Sequence, residues 1–305
     1  MSDRGGSQAS SSAKWSRRID YRFVLIALAV VAGTAVAAVR TLADEGTAST
    51  SSTHAATTSG TVAAPPAPPV HQAAFWAPEP GAPWQWQLTT PVDTSVDVPV
   101  YDIDLFDNPK SVIDELHREG RKVICYFDAG AWESYRPDAD HFPKSVIGKP
   151  TGWEGERWLD IRQVQVIGPL IEARLDMAVA KGCDAVEPDQ DNGWENDPGF
   201  PITREESIAW NIWVADAAHA RGLSVGLKNS VTETAELEPY FDWNLNEECF
   251  QYQECELLEP FTRAGKAVLQ VEYATDPRDF CPQARALGFA SMRKNLELDA
   301  ARMAC

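Results

Sequence analysis

Residues 179–191 read VAKGCDAVEPDQD. They hold the end of an amphipathic segment, a glycine at 182, and a short apolar run that finishes in the carboxylates Glu187, Asp189 and Asp191. Residues two apart in a strand share a face, so Glu187 and Asp189 point the same way. Pro188 cannot donate to a sheet and marks the end of the strand. The same phrase recurs on either side as HREGRKVICYF (117–127), HARGLSVGL (219–227), TRAGKAVLQV (262–271) and RALGFASM (285–292). Each glycine (Gly120, Gly182, Gly222, Gly265, Gly288) fits the left-handed residue that closes a helix before the chain turns into a strand. Helix starts are marked as well: Thr203 with Glu206 forms a capping box ahead of 207–221, and Asn108-Pro109 reads as an N-cap with proline in the first helical position.

The strands fall at 100–106, 122–128, 157–161, 183–189, 223–229, 242–247, 267–273 and 289–295, with WQWQL (84–88) as a ninth candidate. Strands alternating with helices imply a parallel sheet, and eight or nine such units imply a (β/α)8 TIM-type barrel with room for one extra strand. Polar residues come late in these strands: Asp104, Asp128, Asp160, Asp189, Asn229, Glu247 and Tyr273. In a closed barrel they converge at one mouth, where active sites of this fold are built.

Two carboxylates at the end of one strand cost folding energy unless they are paired or solvated, so the 187–191 cluster is the first candidate for chemistry. Glu247, closing DWNLNE two strands further on, can face Asp189 across a groove. Glycoside hydrolysis needs such a pair: an acid that protonates the leaving oxygen and a carboxylate that acts as nucleophile or base. Tyr126 and Trp194 are the aromatics best placed to stack on sugar rings. The bland alternatives are an ion pair of Glu247 with Lys228 or Arg293, and ordinary core packing for most of the tryptophans. The five histidines stand in the N-terminal tract, on helices or in a loop, so a Ser-His-Asp triad or a zinc site has no obvious histidine. Glu187, Asp189 and Asp191 could instead hold Mg²⁺ or Ca²⁺. There is no glycine-rich phosphate loop opening a helix, and the reading commits to no metal and no cofactor.

The chain has a formal net charge of −18, and residues 1–73 are slightly basic, so the acidity belongs to the part that folds. That charge argues against nucleic acid and anionic lipid as partners and suits a cationic substrate. Residues 1–22 form a basic cytoplasmic flank, and the apolar run 23–39 is a signal peptide or a membrane anchor. Residues 40–73, rich in Ala, Thr, Ser and Pro, read as a disordered linker, which leaves 74–305 as a monomeric barrel on the outer face of the membrane or secreted. An oxidising location permits disulfides. Cys249 with Cys255 and Cys281 with Cys305 are the expected pairs, while Cys125 and Cys183, inside apolar strands, read as buried free thiols.

The phrases WQWQL, VYDIDLFD, VICYFDAGAWE, GCDAVEPDQDNGW, GLKNS, NEECFQYQEC and VLQVEY together resemble glycoside hydrolase family 114, the endo-α-1,4-polygalactosaminidase family of (β/α)-barrels. The resemblance implies hydrolysis of an α-1,4-linked, galactosamine-rich, cationic polymer. It places the catalytic carboxylates on Asp189 and Glu247, with Asp189 as nucleophile or base and Glu247 as general acid, or the reverse. By the same resemblance Asp104, Tyr126, Asp128, Asp160, Glu187, Lys228, Asn229, Gln270 and Tyr273 line the sugar subsites, joined by Asp191 and Trp194 from the acidic cluster and the turn after it. Gln190 stands where the family has asparagine or a similar residue, a departure that touches subsite detail. Two readings compete: a non-catalytic carbohydrate-binding barrel at the cell surface, and a metal-dependent lyase or hydrolase using Glu187, Asp189 and Asp191.

Overall fold

A computed structural model describes residues 76–305. The basic flank, the apolar run 23–39 and the linker lie outside the described residues. Among the described residues, no helix is long and apolar enough to cross a membrane.

Eight parallel strands follow one another around a nearly closed barrel: β1 (Trp84–Gln87), β2 (Val100–Asp104), β3 (Lys122–Asp128), then β7 (Ala185–Asp189), β8 (Ser224–Lys228), β9 (Trp243–Glu247), β10 (Val268–Glu272) and β11 (Ala290–Lys294). Side chains bridge the seam between first and last: Trp84 Nε1 donates to the Ala290 carbonyl at 2.8 Å, and Lys294 Nζ to Gln85 Oε1 at 3.4 Å. WQWQL is therefore the first barrel strand. The extra strand is β12 (Arg302–Ala304), which runs antiparallel against β11 at the C-terminus.

RWLDI, expected as a barrel strand, lies outside the barrel. Its first part forms β6 (Glu156–Leu159), the middle strand of a small antiparallel sheet with β4 (Ala131–Glu133) and β5 (Ile147–Pro150). What precedes it explains this: GKPTGWEGE supplies tight turns and no crossover helix, and without a crossover a strand can only pair antiparallel with its neighbours. Consequently β3 pairs directly with β7, joined through the long helix α2 (Val164–Lys181).

That adjacency also corrects the reading of two cysteines. The register sets Cys125 opposite Val186, three residues past Cys183, and Cys125 and Cys183 form a disulfide with a Cα–Cα distance of 6.0 Å. Cys249–Cys255 and Cys281–Cys305 are bonded as expected, and no described cysteine is free.

Strand alternation divides the core. An inner set, including Trp84, Trp86, Ile124, Ala185, Trp243, Leu245, Leu269 and Met292, fills the barrel; an outer set, including Ile103, Val123, Phe127, Val186 and Val225, packs under the helices. Gly226 is needed for the inner layer because a Cβ there would lie 2.5 Å from the Trp243 ring. The Thr203–Glu206 capping box forms as read, whereas Asn108 turns its amide back to the Asp104 carbonyl and does not cap the helix Lys110–Arg118.

Candidate active site

Above the inner layer the same face of each strand turns from apolar to ionic. Lys228, at the end of β8, is its centre. Its ammonium reaches Glu187 Oε1 at 2.9 Å, Asp189 Oδ2 at 3.0 Å and Glu247 Oε2 at 3.4 Å. Trp86 and Tyr126 present their rings to it at 4.9 and 5.6 Å from the centroids. Burial works against the lysine charge, but Asp189, Glu187 and Glu247 outweigh it and hold the ammonium well above the usual range.

Solvent reaches only part of this cluster. The side chains of Lys228 and Glu187 are 1 % and 0 % exposed, those of Asp189 and Glu247 15 % and 25 %. Glu187 is occupied on both oxygens, by Lys228 and by Trp86 Nε1 at 3.1 Å. Beneath it lies Asp102, fully buried, with no N–H or O–H donor for either oxygen and the Glu187 carboxyl as its neighbour. A proton on Asp102 would let that carboxyl donate toward Glu187 and would remove one buried charge. Accordingly burial and Glu187 drive Asp102 well above the carboxylate range, and burial pushes Glu187 up to about 7.

Asp189 and Glu247 are held differently. Asp189 Oδ1 accepts from the Gln190 amide at 2.7 Å, and its carbonyl receives the amides of Ala129 and Gly130 at 2.8 and 3.0 Å. Gly130 fits there only because it lacks a side chain: a Cβ would stand 1.7 Å from the Gln190 carbonyl oxygen. Glu247 accepts from Asn229 Nδ2 at 3.1 Å and from the Tyr273 hydroxyl, and its amide donates back to Asn229 Oδ1 at 2.9 Å. Gln190, Asn229 and Glu248, each following an ionic strand end, adopt left-handed backbone with φ of 58°, 47° and 61°. Strained backbone of this kind concentrates at functional sites. Here it ends three successive strands just past the charges they present.

Of the residues singled out in the sequence, Asp189, Glu247, Glu187, Lys228, Asn229 and Tyr273 come together at the mouth. Tyr126 and Asp128 stand beside them on β3, the Tyr126 hydroxyl 3.4 Å from Asp128 Oδ1. The others go elsewhere. Asp104 is clamped by Arg136 at 3.0 and 2.6 Å and by the amides of Phe106 and Asp107. Asp160 is taken by Arg162 and Gln163. Gln270 faces away from the barrel, donating to Glu272, because its neighbours Leu269 and Val271 fill the interior. Asp191 is buried, with the Ser230 hydroxyl at 3.4 Å, and Trp194 is half-buried on the turn Gly193–Glu195 beside Glu233. Sequence reading missed Asp102, although it shares the face of Asp104, and left Trp86 among the tryptophans assigned to packing. Buried Arg136 and Arg174 carried no signal, since an arginine outside the strands reads as surface.

Lys228 stands among Glu187, Asp189 and Glu247 and already supplies the positive charge that a metal bound there would bring. A different trio, Asp128, Glu133 and Glu156, brings one oxygen each within 4.8 Å of one another. Glu133 in that trio is paired with Arg136 at 2.6 Å and Arg174 at 3.4 Å, and their charges oppose a metal ion.

The model of glycoside-hydrolase family GH114 matches residues 65–305. The chain belongs to this family. Among solved structures, Aspergillus fumigatus Ega3 in complex with galactosamine is 41% identical, with a TM-score of 0.72 over 75% of this chain and 97% of that one. The glycoside hydrolase domain of PelA from Pseudomonas aeruginosa, at 11% identity and a TM-score of 0.56 over 72% of this chain and 96% of that one, shares the fold. An uncharacterised Deinococcus radiodurans protein is 30% identical over 199 residues, 56% of this chain; the match spans 63% of that protein's length. The GH114 assignment makes the chain a glycoside hydrolase, and its three disulfides suit an oxidising, extracellular setting.

The crowding of carboxylates has a consequence for stability. Burial pushes Glu156, Glu187, Glu233 and Glu248 each up to about 7 from an ordinary 4.5. A carboxyl raised in the folded state contributes stability that is complete below its unfolded pKa and is lost as pH rises through the folded one. The melting temperature is therefore expected to be several degrees higher at pH 5 than at pH 8. A flat or rising profile by differential scanning calorimetry would contradict the burial of these groups.

Proposed function

We propose that this GH114 member is an exported enzyme that cleaves α-1,4-linked, galactosamine-rich polysaccharide with retention of configuration, Asp189 acting as nucleophile and Glu247 as acid and base. The observation that carries this is that the two solvent-facing carboxylates of the site share one ammonium, Lys228. Their nearest oxygens can be no further apart than the two contacts of 3.0 and 3.4 Å laid end to end. So close a placement suits the retaining arrangement, in which the two carboxyls need leave no room for a water on the far face of the sugar.

In the first step Asp189 attacks the anomeric carbon while Glu247, as the acid, gives its proton to the departing glycosidic oxygen, leaving a glycosyl ester. Water then attacks that carbon, Glu247 takes a proton from it, and the ester bond breaks to free Asp189. The Lys228 contact and the Gln190 amide hold the two Asp189 oxygens in a fixed orientation, as a nucleophile needs. The more exposed Glu247 can exchange its proton with water between the steps. The likeness to a structure holding galactosamine, and a net charge of −18 that draws ammonium-bearing polymers, support the substrate class. Three disulfides and the apolar run 23–39 support export, with the run either cleaved or kept as an anchor.

The test is proton NMR of the digestion of a de-acetylated α-1,4-galactosamine oligosaccharide. The α-anomer is expected as the first product. First appearance of the β-anomer would overturn the retaining assignment, and absence of any product would overturn the substrate.

A further inference from the structure

The small sheet β4–β6–β5 carries an open cavity of about 260 Å³, walled by Trp132, Pro150 and Trp153 and floored by Glu156 and Arg157. Nothing in the two-carboxylate mechanism uses it. Trp153 is 40 % exposed, so its ring is open to a ligand in the cavity. The cavity lies close to the catalytic centre. A Glu156 oxygen is within 4.8 Å of an Asp128 oxygen, and Asp128 is the register partner of Asp189 across β3 and β7.

Arg157 gives its guanidinium Nε to the Gly148 carbonyl at 2.7 Å. Glu133 is answered by Arg136 and Arg174, but Glu156 meets only neutral donors, the Tyr135 hydroxyl at 3.0 Å and the Thr151 hydroxyl at 3.3 Å. Fully buried Asp128 beside it leaves Oδ2 without any partner. An aromatic wall next to an unanswered carboxylate matches a ligand with a flat apolar face and a positive charge at one edge. A pyranose bearing an ammonium has that form.

We propose that this cavity is a subsite for a hexosamine residue of the polymer remote from the bond being cleaved, its ring stacked on Trp153 and Trp132 and its ammonium against the Glu156 carboxylate. The inference rests on the function proposed above and adds a free amine as the feature read at this position. It makes recognition depend on chain length, since only a polymer long enough to reach β6 from Asp189 gains the contact.

Isothermal titration of the full chain, carrying Glu247→Gln so that the ligand survives, tests it with α-1,4-galactosamine oligosaccharides of increasing length and with their N-acetylated counterparts. Trp153→Ala is expected to weaken binding of the longer oligosaccharides about tenfold, with Trp153→Phe recovering most of the loss. Glu156→Gln is expected to weaken the amine forms about tenfold and to leave the N-acetylated forms unchanged. Short oligosaccharides should bind all variants alike. If Trp153→Ala and Glu156→Gln bind every length as the parent does, the subsite is overturned while the proposed function stands. If the parent binds no oligosaccharide and the wild type releases no product, the proposed function falls and the subsite with it.

Discussion

Lys228→Met is expected to lower the rate of polymer hydrolysis by about 10²–10³-fold and the stability by about 3–5 kcal/mol. Among the described residues the ammonium is the only positive group contacting Glu187, Asp189 and Glu247. Methionine keeps the stem but leaves three carboxylates facing one another, with Glu187 closed to water. They can relieve this only by taking up protons, which disarms Asp189 as a nucleophile. For a domain of this size the stability loss corresponds to a fall of roughly 10 °C in melting temperature. Thermal melting and initial rates on one preparation check both effects. A variant that melts and turns over like the wild type would show that Lys228 is not the organising charge of the site. Arginine should not restore it, because a planar fork cannot point one hydrogen at each of three carboxylates as an ammonium does.

The second large effect concerns the barrel wall. Replacing Cys125 and Cys183 together by alanine is expected to cost about 4 kcal/mol, from the loop entropy that a crosslink over 58 residues removes from the unfolded chain. The loop it closes contains the whole β4–β6–β5 sheet and α2, so the bond fixes where the chain re-enters the barrel at β7. By the same relation, Cys249–Cys255, with a sequence separation of 6, should cost about 2 kcal/mol. Chemical unfolding of the two double variants gives the comparison directly. Equal losses would contradict the loop-length account.

These two sites also show how far the sequence could be read. The helix–glycine–strand phrase located five of the eight barrel strands, because a left-handed glycine and an apolar run are local features: Gly120, Gly182, Gly222, Gly265 and Gly288 all have positive φ. Carboxylates at strand ends were legible for the same reason; Asp189 and Glu247 meet at one ammonium, and the Glu247–Lys228 ion pair, read as the bland alternative, is part of that meeting. What failed was whatever depended on strand adjacency. Counting RWLDI as a barrel strand set a false neighbour between 122–128 and 183–189, which hid the Cys125–Cys183 bond.

Side-chain facing was obscured for another reason. Strands of a parallel barrel are buried on both sides, so VLQVE gives no alternation from which to tell that Gln270 looks outward. Asp104 and Asp160 were drawn away by arginines whose role depends on packing that no pattern displays. Asp102 escaped notice because a carboxyl within a run of barrel residues has meaning only once Glu187, 85 residues later, is known to face it.

The central claim is that Asp189 and Glu247 work as a pair on an amino-sugar polymer. Its most direct measurement is the initial rate of oligosaccharide release from de-acetylated α-1,4-galactosamine polymer by the wild type, Asp189→Asn and Glu247→Gln, each confirmed folded by its melting curve. The account predicts release by the wild type and a loss of at least about 10²–10⁴-fold in each variant. A correctly folded variant that keeps the wild-type rate would contradict it.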